Sequence, residues 1–262
     1  MSQASRLSGW LGVAVVASGL ALGAPPAAAI VTSGSSDAFG ISVNLTLGGL
    51  PLTVPATPVA AGTAPAPYND SQMVVDFAVG VPGTATLAAD ALSAMASSDV
   101  DGVSSPAFAL GSSSVENFDA GLFGEGSTVT FHADSITASA QIAGRFGALV
   151  ESGSVLLQGA ELTLFGNTTE LDANPAPNTV LIDTASIDVI VNEQFVGGDG
   201  ISSRMLEVNA VHVVFTNFFT PNGLLNGDIV VSHSESALTA VPEPAAPGLL
   251  ALGFVGLRRR RD

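Results

Sequence analysis

Three histidines, at positions 132, 212 and 233, are the only side chains of this chain that ordinarily titrate near neutral pH. His132 and Asp134 are two apart, so on a strand they share one side while Ser135 faces the other. That spacing suits an acid–base pair. A Ser-His-Asp triad is a matter of geometry rather than proximity in sequence, and no Gly-x-Ser-x-Gly elbow occurs anywhere. His233 and Glu235 repeat the two-residue spacing, which permits an ion pair or two ligands to one ion. His212 lies in Val211-His-Val-Val-Phe215 and reads as a half-buried strand residue rather than a base. Acid pairs could also do glycosidase chemistry, with one carboxyl as acid and one as base. Such sites usually add aromatic platforms, and beyond Trp10 the chain offers only phenylalanines and Tyr68. No catalytic residue is therefore assigned and an enzyme is not expected, with a secreted hydrolase using His132/Asp134 or an acid pair as the alternative.

Metal chemistry has fewer openings. There is no cysteine, hence no thiolate site, no disulfide and no Cys nucleophile. Asp99-Val-Asp101-Gly102 and Gly198-Asp199-Gly200 look like pieces of calcium loops, which gather several oxygens around one hard cation. Neither continues to the spaced acids of an EF-hand, and surface turns favour Asp and Gly in any case. No cofactor is expected. Calcium at Asp99, Asp101 or Asp199 remains an option, and with it a calcium-dependent carbohydrate-binding module.

The elements that would carry these residues are strands. Ile41, Val43, Leu45 and Leu47 alternate cleanly, as do Met73, Val75, Phe77 and Val79. From 128 to 141 the apolar set shifts from Val129 and Phe131 to Ile136, Ala138 and Ala140, which predicts a bulge or bend near Ala133-Asp134. Further runs cover 155–165, 180–191, 205–215 and 229–238. Gly48-Gly49, a proline-rich loop from Pro55 to Pro67, Asp99–Gly102, Asn174–Pro177, Gly197–Gly200 and Pro221–Gly223 separate them. No amphipathic helix pattern lies between the runs, so the expectation is all-β: a long-stranded antiparallel sandwich or barrel-like domain. Ala89-Asp-Ala-Leu-Ser-Ala-Met-Ala96 echoes Ala133-Asp-Ser-Ile-Thr-Ala-Ser-Ala140, and more loosely Ile182–Ile187, which leaves a β-solenoid as the alternative fold.

Charge along the chain is lopsided. The net charge is −16, all seven basic residues are arginines, and only Arg145 and Arg204 fall between Ile30 and Val241, against 21 acids there. Such a body repels phosphate backbones, so nucleic acid is not a partner. The two ends read as addresses. Residues 1–29 have a basic start at Arg6, an apolar run from Trp10 to Leu22 and a small-residue exit at Ala27-Ala28-Ala29, the pattern of a secretory signal peptide cut by signal peptidase. Residues 30–240 form the β-rich body. Residues 241–262 hold Pro242-Glu243-Pro244, an apolar stretch from Ala245 to Leu257, then Arg258, Arg259, Arg260 and Arg261. As a helix that stretch spans about 20 Å, short of the roughly 30 Å hydrocarbon core, yet arginines can snorkel and hold a short or tilted insertion at the cytoplasmic face.

The tail resembles the PEP-CTERM sorting signal of Gram-negative bacteria, in which a Pro-Glu-Pro box, a short hydrophobic helix and an Arg cluster occur in this order. The resemblance implies transient insertion in the inner membrane. It also implies cutting near Pro242-Glu243-Pro244 by an exosortase-like transpeptidase, with release or anchoring at the cell envelope, outer surface or extracellular matrix. The body resembles the choice-of-anchor P family. Ser36–Val54 with Ala64-Pro-Ala-Pro-Tyr68 is similar to that family's opening; Val191-Asn-Glu-Gln194, Glu207–Val213 and Gly227–Val231 are similar to its close. That resemblance brings no enzymatic activity, and Asn192-Glu193-Gln194, Asn209 and His212 are its most recognisable polar positions. Together these readings give an exported, non-enzymatic envelope or matrix protein with a structural or interaction role, and exopolysaccharide as a possible partner.

Overall fold

The computed structural model describes residues 29–81, 85–124, 127–164, 166–220 and 222–242. The hydrophobic helix expected at 245–257 and most of the signal peptide lie outside the described residues. Among the described residues no helix is long and apolar enough to cross a membrane.

The described chain is built from strands: β1 (Ala29–Leu47), β2 (Leu50–Thr63), β3 (Tyr68–Val81), β4 (Ala85–Ser98), β5 (Ala107–Gly124), β6 (Ser127–Arg145), β7 (Ala148–Gln158), β8 (Glu161–Leu164), β9 (Asn167–Glu170), β10 (Thr179–Asp183), β11 (Ile187–Gly198), β12 (Ser203–Thr220) and β13 (Gly223–Pro242). One sheet runs β10-β11-β12-β13-β1-β2; the other runs β3-β4-β5-β6-β8-β9, with β7 also pairing β6. Every pairing is antiparallel. This is a sandwich of two open sheets, and the solenoid and closed-barrel alternatives fall. Of the described strands the first and last lie side by side inside their sheet, paired from Ala29 opposite Pro242 to Leu47 opposite Leu225 with a one-residue register shift between Val31 and Ser33.

The two echoing segments are explained by this topology. They are equivalent stretches of β4 and β6, the two neighbours of β5. Leu92 and Ile136 are both fully buried, and so in turn are Ala94 and Ala138, Ala96 and Ala140. The looser third copy falls on β10, a turn and the start of β11, and has no such equivalence.

The phase shift expected near Asp134 is real, and it extends across both sheets. Opposite Asp134 stands Asn117, which has φ of 50°. The β5–β6 ladder pairs Glu116 with Ser135 and Phe118 with Ala133, passing over Asn117 and Asp134 without changing register. Asp76, with φ of 55°, does the same opposite Asp90. In the other sheet Asn192 (52°) and Ser232 (56°) interrupt β11 and β13 at one level. Asp and Asn are the non-glycine residues most at ease in this left-handed region. Each sheet therefore carries one transverse kink, where the inward-facing set of side chains changes phase.

The kink divides the core. On one side the sheets meet through Phe118, Phe131, Ile41, Leu45, Leu87 and Ile229, which leave an apolar cavity of about 40 Å³ lined partly by Phe118, Phe131 and Ile229. On the other side small inward residues, Ala38, Ala60, Ala94, Ala96, Ser113 and Ser234, are interspersed with larger buried ones such as Leu92, Ile136, Leu206 and Leu238. Ser113 Oγ lies 2.8 Å from Ser232 Oγ, and Ser234 Oγ donates to the Ala138 carbonyl at 3.1 Å, so hydroxyls bond across the sheets. Gly111 marks a close approach. A Cβ there would lie 2.4 Å from the Asp37 carbonyl oxygen and 2.6 Å from that of Glu235.

Several expectations need correction. The proline-rich 55–63 stretch is strand, not loop, because β2 is an edge strand and need donate hydrogen bonds on one side only. The 155–165 and 180–191 runs are each broken by a tight turn, giving β7/β8 and β10/β11. An apolar alternation can continue through a short turn when both arms face the same core.

Candidate functional site

Inward-facing Ser232, Ser234 and Ser236 place the alternate residues His233 and Glu235 on the outer face of their sheet. Two cross-strand rows meet there. In one, Glu193 of β11 stands opposite Asn209 of β12, which stands opposite His233 of β13, which stands opposite Phe39 of β1. In the next, Glu207, Glu235 and Asp37 are directly opposed. The spacing of two along each strand puts both rows on one side. The result is a polar patch beside the kink in which Glu193, Asn209 and His233 are buried although they belong to an outer face.

The patch is ordered by hydrogen bonds from one end to the other. Asn209 Nδ2 donates to Glu193 Oε2 at 2.9 Å, which leaves Asn209 Oδ1 to accept from His233 Nδ1 at 2.6 Å. His212, from beyond the kink, meets the same Glu193 oxygen through Nδ1 at 2.8 Å. The His233 ring stacks on Phe39, with centroids 4.4 Å apart and planes 14° from parallel. Ring plane and tautomer are thereby fixed, and His233 Nε2 points towards Asp37 Oδ1 at 3.6 Å. That carboxylate oxygen is buried and accepts no hydrogen bond.

Electrostatics in the patch are strained on one side and satisfied on the other. Burial opposes the Glu193 charge, but the hydrogen bonds from His212 and Asn209 outweigh it and hold the carboxyl below its ordinary value. The same bond raises His212, against burial, with Glu193, Asp228 and Glu207 adding attraction. Glu235 goes the other way. Burial first, then the neighbouring Asp37 charge, push its carboxyl up. Like charges directly opposite one another destabilise a sheet, and here three stand in a row. Arg204, the nearest guanidinium along β12, is taken up by Glu151 of β7, to which its Nε donates at 2.7 Å.

The other positions singled out from sequence are placed as follows. His132 sits exposed on the second sheet, with Nδ1 2.8 Å from Asp119 and Nε2 3.7 Å from Asp134. The Asp119 hydrogen bond raises its pKa, with burial opposing. Ser135 donates to Glu116 and not to His132. Asp101 caps its own turn, accepting from the Val103 and Ser104 amides and the Ser104 hydroxyl. Asp199 does likewise with the amides of residues 201–203 and the Ser202 hydroxyl, which pull its carboxyl far below the usual range. Asp99 accepts from the Phe108 amide at 2.6 Å. These three carboxylates work as turn staples, and none of them belongs to the group of potential metal ligands found among the described residues. Asn192 Nδ2 holds the Pro175 carbonyl, and Gln194 Nε2 donates to Asn192 Oδ1, so that motif pins the loop before β10. Of the processing residues, Ala29 and Pro242 are the terminal pair of the central ladder. Ala27, Glu243, Pro244 and Arg258 to Arg261 lie outside the described residues.

Asp37 was not singled out from sequence as a site residue. It appeared only within the Ser36–Val54 stretch, and the ladder between β1 and β13 is what carries it to His233.

Among curated proteins, none matches this chain. Residues 240–261 match the PEP-CTERM protein-sorting motif, which indicates an exported protein sorted by an exosortase-type system and is consistent with association with the cell surface.

Proposed function

We propose that the sandwich is the cargo of this sorting route and acts without catalysis, as a structural or interaction element of the envelope or its exopolysaccharide matrix. The observation that carries the reading is the position of the two ends. The folded ladder opens at Ala29 and closes at Pro242, at the edges of the two segments read as removable, and their strands are adjacent. Both cuts can then be made at one pole without disturbing a core residue. The likeness of the body to choice-of-anchor P proteins, which end in differing signals, agrees with a domain indifferent to its tether. Signal peptidase at Ala27–Ala29 and transient membrane insertion of the tail belong to this reading. So does arrest by Arg258 to Arg261.

The test is fractionation of cells making the intact chain or a version lacking residues 242–262, together with a panel of glycans and esters offered to the purified protein. The reading expects surface or matrix deposition only with the tail present, and no turnover. An unchanged destination after deletion overturns the sorting claim. Turnover abolished by His132→Ala would instead establish the hydrolase.

A further inference from the structure

We propose that Asp37, His233 and Glu235 form a binding site for a divalent first-row transition metal of the zinc type, with His233 Nε2 and one carboxylate oxygen from each acid as ligands. One candidate ligand atom from each of the three lies within 4.8 Å of the others. Ligands around one tetrahedral or octahedral ion sit about 3.0–3.5 Å apart, given bonds of about 2.0–2.2 Å. The existing 3.6 Å between His233 Nε2 and Asp37 Oδ1 is thus close to a bound geometry, and Glu235 is within 4.8 Å of both.

Three further features point to a cation rather than to an accidental cluster. First, the histidine is prepared as a ligand. It is nine-tenths buried, its Nδ1 proton is committed to Asn209, its ring is clamped on Phe39, and its remaining nitrogen has no hydrogen bond. Metal-binding histidines characteristically donate the other ring N–H to a carbonyl or carboxylate, which fixes the tautomer and raises basicity. Asn209 is itself oriented by Glu193, so the support extends beyond the first partner. Second, Asp37 Oδ1 is buried with no donor, on the side facing that nitrogen. A buried carboxylate oxygen left without a partner costs free energy that a bound cation would remove. Third, the Asp37–Glu235 opposition brings like charges together across a ladder, with Glu207 next in the row. A dication neutralises that repulsion.

The mixed nitrogen and oxygen donors favour zinc, manganese, iron or nickel over calcium, which takes six to eight oxygens. Three protein ligands leave at least one position for water or for an oxygen of a partner molecule. Bound metal would clip β1 to β13 opposite Gly111, whose added Cβ would meet the Asp37 and Glu235 carbonyl oxygens.

The site is tested on the full chain, stripped with chelator and held in mild detergent at an ionic strength that screens diffuse binding. Zinc chloride is titrated by calorimetry, and long-range proton–nitrogen spectra follow the histidine rings. The expected result is one saturable zinc per chain, a shift of the His233 Nε2 resonance with His132 unmoved, and a rise in melting temperature. Glu235→Gln, nearly the same shape, should lower affinity at least tenfold while the far-ultraviolet spectrum stays that of the parent. Asn209→Ala should lower it about ten- to a hundredfold, the usual range for a lost supporting bond. Millimolar calcium should not displace the zinc. Absence of saturable binding, equal affinity in Glu235→Gln, or displacement by calcium each overturns the proposal.

Discussion

Replacing Gly111 with alanine probes how the two sheets meet. The added carbon would sit 2.4 Å and 2.6 Å from two backbone carbonyl oxygens, those of Asp37 and Glu235, and 3.1 Å from the Glu235 nitrogen. A carbon–oxygen contact needs more than 3 Å, so the sheets must part locally by several tenths of an ångström. The obstacle is backbone in two adjacent strands, which no side-chain rotation can relieve. Inserting one carbon into a packed interior typically costs about 1–3 kcal/mol. With the backbone on both sides immobile, the upper end applies, about 3 kcal/mol. For a body of this size that corresponds to a fall in melting temperature of roughly 6–12 °C. Gly80→Ala is the control, because a Cβ there would meet nothing nearer than 3.6 Å and the residue is exposed. It should move stability by no more than about 0.5 kcal/mol. The assay is reversible denaturant unfolding of parent and both variants, followed by circular dichroism. If Gly111→Ala unfolds with the parent and Gly80→Ala, the claimed approach of the sheets at this point is wrong.

Three further outcomes follow from the same geometry. Leu92→Ala and Ile136→Ala, equivalent positions of β4 and β6 with no exposed surface, should each cost about 3 kcal/mol and agree within about 1 kcal/mol; denaturation midpoints of the two will show it. The Glu193–His212 pair should stabilise the fold most between about pH 4.5 and 6.5. The Glu193 contribution is present above its unfolded value and lost as pH falls through its lowered folded one, while that of His212 is present below its unfolded value and lost as pH rises through its raised folded one. His212→Gln should therefore lose about 1–2 kcal/mol relative to the parent at pH 5.5 and progressively less towards pH 9, read from unfolding curves at each pH. Raising salt should weaken the exposed clamp of His132 by Asp119 and Asp134 more than the half-buried Glu193–His212 pair, as nuclear magnetic resonance titration of the two rings can measure.

Some of this architecture could be read directly from the chain. Ile41 to Leu47 alternate on β1, and the phase change at Asp134 announced the kink, because burial imposes a strict two-residue period on a sandwich strand. β4 and β5 escaped notice for the opposite reason. Stretches such as Ser-Ala-Met-Ala-Ser-Ser (93–98) and Gly-Ser-Ser-Ser (111–114) have little contrast between faces and weak strand propensity. They are strands because both pair with long neighbours and pack on the partner sheet, with small residues such as Ala94, Ala96 and Ser113 set inward beside Leu92 and Val115, a demand made by that sheet rather than by local preference. β2 was hidden by prolines that an edge strand tolerates. The candidate site divides in the same way. His233 and Glu235 were visible as a pair two apart. Asp37, at the other end of the chain, and Asn209, in a neighbouring strand, join them only through pairing of β1, β13 and β12, and pairing partners leave no local trace.

The most direct measurement is the intact mass of the protein recovered from the envelope and from the medium of cells that make it. Sorting with two trimming events predicts a species beginning at Ile30 and ending near Pro242-Glu243-Pro244, alone or carrying one added group. A recovered surface protein that still contains Arg258 to Arg261 would contradict the account.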